Sequence, residues 1–166
     1  VLMEYPDRLR ELLLSDLTIY GKLKRGGKAF LGQAHAKSKS IDIGIRRGTS
    51  DAGLRRTMHH EFSHLIELHP KFPADKWKEI SEGDYGTHQD GPKRGGSFKD
   101  DGFVTRYASK NRHEDFAELA ELAFTRPEKA KDLAERYPEI GEKLKIMTRV
   151  YRKVAPDMVL PWIDEA

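Results

Sequence analysis

The residues whose spacing most clearly indicates chemistry are two histidines four positions apart, His60 and His64, with Glu61 directly after the first. On a helix such histidines lie above one another, so both imidazoles can reach one zinc ion at about 2.0–2.1 Å. Glu61 is rotated away from that axis and can reach a water on the metal without becoming a ligand. His59 points about 100° away, so we expect it beside the site or at the surface.

The element that must carry these residues is a long helix. The run Thr49-Ser50-Asp51 offers N-cap residues for its start, and Pro70 stops it. An apolar stripe runs beside the two histidines, formed by Leu54, Met58, Phe62 and Leu65. A short pattern can arise by chance, and isolated histidines often only fill a core or a surface. The independent helix signals favour zinc ligation over that alternative.

A catalytic zinc site needs a third protein ligand and one open position. A third histidine six residues after the second is excluded, because that residue is Pro70, and cysteine is absent from the chain. A carboxylate from a later helix remains, since Glu114, Glu118 and Glu121 share one face of the segment 112–125. One could bind the metal while the next orients an imidazole. A solvated acidic stripe would have the same spacing, so spacing alone leaves both readings open.

The run from Tyr107 to Glu118, taken with His60–His64, resembles two groups of zinc enzymes. These are the catalytic domain of anthrax lethal factor and a group of bacterial zinc-binding metallopeptidases, where Tyr-x-x-x-Asn-x-x-Glu-x-Phe-Ala-Glu recurs. The resemblance extends over residues 54–152 and implies a zincin of the HExxH…E type. It implies that Glu114 is the third Zn²⁺ ligand, that Glu118 supports a ligand and that Tyr107 lies by the metal.

The fold expected from the sequence is α+β and zincin-like, in a single domain of residues 1–166. Helical spacing covers residues 6–17, and alternation predicts two or three antiparallel strands within 17–23, 28–34 and 40–45, with a hairpin turn at Gly26-Gly27. These strands should form a small antiparallel or mixed sheet ahead of the active-site helix. A long irregular loop over 70–102 then leads into a mainly helical C-terminal part. Its three expected helices span 112–125, 127–136 and 138–154.

These expectations together predict a zinc-dependent endopeptidase. Zinc would activate water and polarise the scissile carbonyl, with Glu61 as the general base. Tyr107 would stabilise the oxyanion, with Tyr85 as a rival donor, and a peptide could pair with an exposed edge strand at Ser40–Ile45. Two alternatives stay open: a zincin-like binding or adhesion module that does not catalyse, and a toxin or effector protease with one protein substrate.

Composition limits the other classes of function. The net charge of +3 comes from 30 basic and 27 acidic residues, and the early basic cluster has no nucleic-acid-binding motif beside it. We therefore expect a protein or peptide substrate and no nucleic acid. No apolar run approaches the roughly 18 residues of a membrane span. The compartment is not determined, but secretion or a bacterial cell-envelope location is favoured, as a mature form or an excised domain.

Overall fold

The computed structural model describes residues 4–25, 28–81, 84–87, 89–94 and 96–164. In this part of the chain the elements follow in the order α1 (Asp7–Leu13), β1 (Asp16–Tyr20), β2 (Leu23–Arg25), β3 (Lys28–Phe30), β4 (Gly32–His35), β5 (Ser40–Gly44), α2 (Asp51–Glu67), α3 (Ala74–Ile80), α4 (Arg112–Thr125), α5 (Pro127–Arg136) and α6 (Pro138–Val154). A short 3₁₀ turn, Ala108–Lys110, precedes α4. The predicted α+β class with a mainly helical C-terminal part is confirmed.

The main sheet has three strands in the order β1-β5-β4. β4 runs antiparallel to β5 and β1 runs parallel to it, so the sheet is mixed, which is one of the two expected forms, and only the antiparallel pairing expected of β1 is wrong. The chain between β1 and β5 forms the separate antiparallel pair β2-β3 and then β4, and this long excursion makes a parallel return possible. The predicted turn at Gly26-Gly27 lies outside the described residues.

The position of β5 overturns the edge-strand prediction. Ser40–Ile45 was expected to offer a free edge, yet β5 is the central strand, with its neighbours hydrogen-bonded on both sides. Ile41 and Ile43 on β5 are fully buried on one face of the sheet. This burial accounts for the regular alternation of apolar and polar residues in the segment. The edge strands of the described sheet are instead β1 and β4, of which β4, Gly32–His35, packs against α2.

Helix α2 begins and ends where its local signals predict. The Ser50 hydroxyl accepts a hydrogen bond from the Gly53 amide at 3.1 Å, and the helix ends at Glu67, three residues before Pro70. Met58, Phe62 and Leu65 of the predicted stripe are buried, and Leu54 packs partly buried against the same core. These side chains belong to the common core, and α2 packs against α4.

Helices α4, α5 and α6 have the predicted bounds. Pro127 and Pro138 stand in the first turns of α5 and α6, where a missing amide does no harm.

Two predictions for earlier parts of the chain are wrong. Helix α1 ends at Leu13 because the following residues form β1, and the loop expected over residues 70–102 contains α3, which buries Trp77. No helix among the described residues has the length and apolarity needed to cross a membrane.

A buried polar network fixes the segment that follows α3. The Oδ2 atom of Asp115 on α4 accepts hydrogen bonds from Trp77 Nε1 at 3.0 Å and from the Tyr85 hydroxyl at 2.7 Å. The Lys143 ammonium on α6 lies 2.8 Å from the same oxygen and donates to the Gly102 carbonyl at 2.8 Å. One carboxylate therefore ties three helices and part of the long connection together.

Candidate metal centre

The contact between α2 and α4 brings three predicted ligands together. Oε2 of Glu114 lies 3.2 Å from Nε2 of His60 and 3.6 Å from Nε2 of His64. Tetrahedral zinc with bonds of about 2.0–2.2 Å holds its ligand atoms about 3.3 Å apart, close to both of these distances. Two imidazoles and one carboxylate are also a donor set that zinc accepts. The residues present therefore fit a zinc ion.

The two oxygens of the Glu114 carboxylate have different partners. Its Oε1 atom accepts hydrogen bonds from the Tyr107 hydroxyl at 2.9 Å and from the Lys110 ammonium at 3.1 Å, which leaves Oε2 facing the histidines. Burial raises the pKa of Glu114, but hydrogen bonds from His60, His64 and Lys110 outweigh it and hold the pKa well below its usual range. The group is therefore a carboxylate that can bind a metal through one oxygen.

Lys110 was not identified from the sequence. The available signal was its place four residues before Glu114, the spacing at which opposite charges meet on a helix. Asn111 adds a second local constraint, because its side chain caps α4 by accepting from the Glu114 amide at 3.0 Å. Together these two residues fix where the first turn of α4 presents Glu114.

The other ring nitrogen of His60 faces two more carboxylates of α4. Its Nδ1 atom lies 3.2 Å from Glu118 and 3.8 Å from Glu121, and Glu118 also accepts from Thr105 at 2.7 Å. Burial lowers the pKa of His60, but hydrogen bonds to Glu114 and Glu118 raise it to about 10. The surroundings of this imidazole thus favour positive charge, and Glu118 is placed to orient the ring.

His60, Glu118 and Glu121 form a second group of possible ligand atoms within 4.8 Å of one another. That group offers one imidazole and two carboxylates, whereas the first offers two imidazoles and one carboxylate. Zinc favours imidazole more than the oxygen-preferring cations do. The group around Oε2 of Glu114 is therefore the better zinc site.

Glu61 is buried beside the two candidate ligand histidines and against β4. Burial raises its pKa, while His60, His64 and the backbone of Ala34 partly oppose the shift. A Cβ atom at Gly32 would lie 2.6 Å from both Cγ and Oε1 of Glu61, so the glycine allows the strand to approach this closely. The strand backbone thereby fixes the carboxylate of a candidate general base.

The two tyrosines considered as donors have different positions. The Tyr107 ring centroid lies 6.4 Å from that of His60, and its hydroxyl contacts the candidate ligand Glu114. The hydroxyl of Tyr85 is engaged by Asp115 inside the buried network instead. The structure therefore brings Tyr107, and not Tyr85, into contact with the candidate ligands.

His59 faces the core, so the surface alternative is wrong for it. Its Nδ1 atom lies 2.7 Å from the Tyr5 hydroxyl, and its ring stacks on Phe124 with centroids 4.5 Å apart. Burial lowers the pKa of His59 to about 4, although the nearby Glu4 carboxylate opposes the shift. This histidine is neutral and structural, on the side of α2 away from the cleft.

Comparison with known proteins gives a family. The sequence profile of the family described as "Putative zinc-binding metallo-peptidase" matches residues 33–154. A crystal structure of a putative zinc-binding metallo-peptidase from Bacteroides caccae is similar with a TM-score of 0.53 at 23% identity. That similarity covers 82% of this chain and 53% of the other, so the chain spans about half of that relative and shares its fold. No curated protein matches. Because the profile covers well over half of the chain, the protein belongs to the zinc-binding metallo-peptidase family so described.

Proposed function

We propose that the chain is a zinc-dependent endopeptidase and that residues 1–166 form one zincin-like catalytic domain. The observation that carries the proposal is the convergence of His60 Nε2, His64 Nε2 and Glu114 Oε2 beside the buried carboxylate of Glu61. A purely structural zinc needs no base beside it, so this carboxylate favours an enzyme over a binding module. The family of the chain supports the same reading.

The ligand residues and Glu61 have different roles in the proposed hydrolysis. Zinc held by the two histidines and Glu114 would supply a Lewis acid that lowers the pKa of a water and polarises the scissile carbonyl. Glu61 takes the proton of the attacking water and later gives it to the leaving amine. The raised pKa of Glu61 suits a group that must hold a proton between these two steps.

Two further residues act around this centre. Burial raises the pKa of Tyr107, so its phenol keeps its proton and can turn from Glu114 to donate to the oxyanion. Glu118 holds Nδ1 of His60 and so fixes the orientation of the ring. The placement of these groups in the segment from Tyr107 to Glu118 supports the finer likeness to the lethal factor catalytic domain, which rests on the motif.

An extended substrate would lie along β4. This strand has a free edge in the described sheet, and its backbone at Gly32 touches Glu61. A peptide that adds to such an edge gains main-chain hydrogen bonds whatever its side chains are. Pairing with β4 would therefore carry a scissile bond to the base, which the buried central strand β5 does not allow.

The decisive experiment separates metal binding from hydrolysis. Glu61→Gln should keep stoichiometric zinc, measured by mass spectrometry of the metal, yet lose at least about 10²-fold in kcat/KM on a peptide-library substrate. Glu114→Ala should lower the zinc content sharply, and Glu118→Ala should lower it less. Wild-type cleavage by Glu61→Gln would refute the mechanism, and the opposite ranking of the two glutamates would move the ligand to Glu118. Stoichiometric zinc in a wild type that cleaves no peptide would instead favour the binding module.

A further inference from the structure

A cavity of about 300 Å³ opens directly beside His60 and Glu61. One wall comes from the junction of β3 and β4 and includes Phe30 and Leu31, and the opposite wall comes from α4 and includes Glu118 and Glu121. Because the cavity starts at the base and at a metal ligand, whatever fills it belongs to a substrate residue flanking the scissile bond. A pocket of this size can hold a long side chain.

The β3-β4 wall is apolar and accessible. Phe30 and Leu31 are 38% and 53% exposed, which places two large apolar side chains next to each other at the mouth of the cleft. Adjacent exposed apolar groups in a cleft are suited to contact with a ligand. The aliphatic part of a substrate side chain would bury this surface.

The opposite wall carries the carboxylate of Glu121, whose one close charged contact among the described residues is His60. Oε2 of Glu121 lies 3.8 Å from His60 Nδ1, beyond hydrogen-bond distance, and no described residue donates a hydrogen bond to this carboxylate although only 19% of the side chain is exposed. The charges of His60, Arg56 and Arg126 all act on this carboxylate, but neither arginine forms an ion pair with it. Its neighbour Glu118, by contrast, is satisfied by Thr105 and His60.

We propose that this cavity binds a lysine or arginine side chain of the substrate next to the scissile bond, with Glu121 as the specificity-determining residue. The aliphatic stem would lie on Phe30 and Leu31 while the cationic head meets the carboxylate, as long basic side chains do at apolar surfaces with a polar end. An apolar occupant would bury Glu121 without a hydrogen-bond donor, and an acidic occupant would meet it with like charge. The inference rests on the proposed peptidase function and deepens it by naming the substrate class.

The test compares matched peptides. A positional-scanning library digested by the zinc-loaded wild type should show lysine or arginine enriched at one position flanking the cleaved bond. Two peptides that differ there by lysine against norleucine should then be cleaved with kcat/KM values at least about tenfold apart, the value of a charge-assisted hydrogen bond. Glu121→Gln should lower that ratio about tenfold while zinc content stays unchanged. Glu121→Lys should move the preference towards acidic side chains.

The matched control is Glu128→Gln, which removes an exposed carboxylate of α5 and should leave the ratio as it is. Affinity of the same two peptides for the zinc-loaded Glu61→Gln variant gives a second readout without turnover. Cleavage with no basic preference, or a ratio that Glu121→Gln leaves unchanged, overturns this inference alone. Absence of any cleavage by the wild type overturns the peptidase function. A lysine preference in binding that depends on Glu121 would in that case still support the pocket.

Discussion

Replacing Lys143 by methionine tests the buried network that anchors α4. The Lys143 ammonium and the Asp115 carboxylate lie 2.8 Å apart, and each side chain is only 1% exposed. Methionine fills similar space but leaves the carboxylate with neutral donors only, from Trp77 and Tyr85, and leaves the Gly102 carbonyl without its donor. Breaking a buried ion pair on one side destabilises proteins by about 3–5 kcal/mol, and we expect a loss of that size.

The assay is urea unfolding of the metal-free protein at neutral pH, followed by far-UV circular dichroism. The midpoint should fall while the slope of the transition stays constant. Lys145→Met is the matched control on the same helix, because this lysine is 68% exposed, and it should change the stability by no more than about 0.5 kcal/mol.

A double variant shows whether the unpaired charge on Asp115 causes the loss of stability. Asp115→Asn in the Lys143→Met background removes the charge but keeps an acceptor for Trp77 and Tyr85, so it should recover part of the lost stability. If Lys143→Met costs less than about 1 kcal/mol, or no more than Lys145→Met, the ion pair does not hold this region together.

Two more predictions concern residues on either side of α2. Gly32→Ala should displace the Glu61 carboxylate, because the added methyl group would collide with it. The value of kcat/KM should then fall by about 10²-fold while the zinc content stays unchanged. Unaltered kinetics would contradict the close contact between the strand and Glu61. His59 binds a proton below about pH 6.5 in the unfolded chain, but in the folded protein its pKa is about 4. Its contribution to the free energy of unfolding is therefore fully present above pH 6.5 and is lost as the pH falls towards 4. Metal-free wild type should lose about 3 kcal/mol more between pH 7 and pH 4 than His59→Leu does in urea unfolding, and equal losses would refute the neutral buried imidazole.

The helices were predictable because their signals are local. Ser50, Pro127 and Pro138 mark helix starts within a few residues of the chain, and the stripe on α2 repeats at helical spacing. The pair His60 and His64 is local in the same sense. For these elements the sequence carries the determining interactions within one or two helical turns.

Long-range features could not be derived in this way. Glu114 lies 54 positions from His60, and only a resemblance singled it out from the other glutamates of its helix. The parallel pairing of β1 with β5 depends on contacts between distant segments that no alternation pattern encodes. From the sequence Lys143 would be expected at the surface, because buried lysines are rare. It is buried because the fold brings it to Asp115.

Glu114 and Asp115 are neighbours on α4 that point in directions about 100° apart. One faces the histidines of α2, and the other reaches the ammonium of α6. A slip of α4 by a single residue along its axis would break both contacts at once. Two adjacent side chains thus fix both the rotation and the position of α4, so the direction of the Glu114 carboxylate depends on the interior of the protein as well as on the cleft.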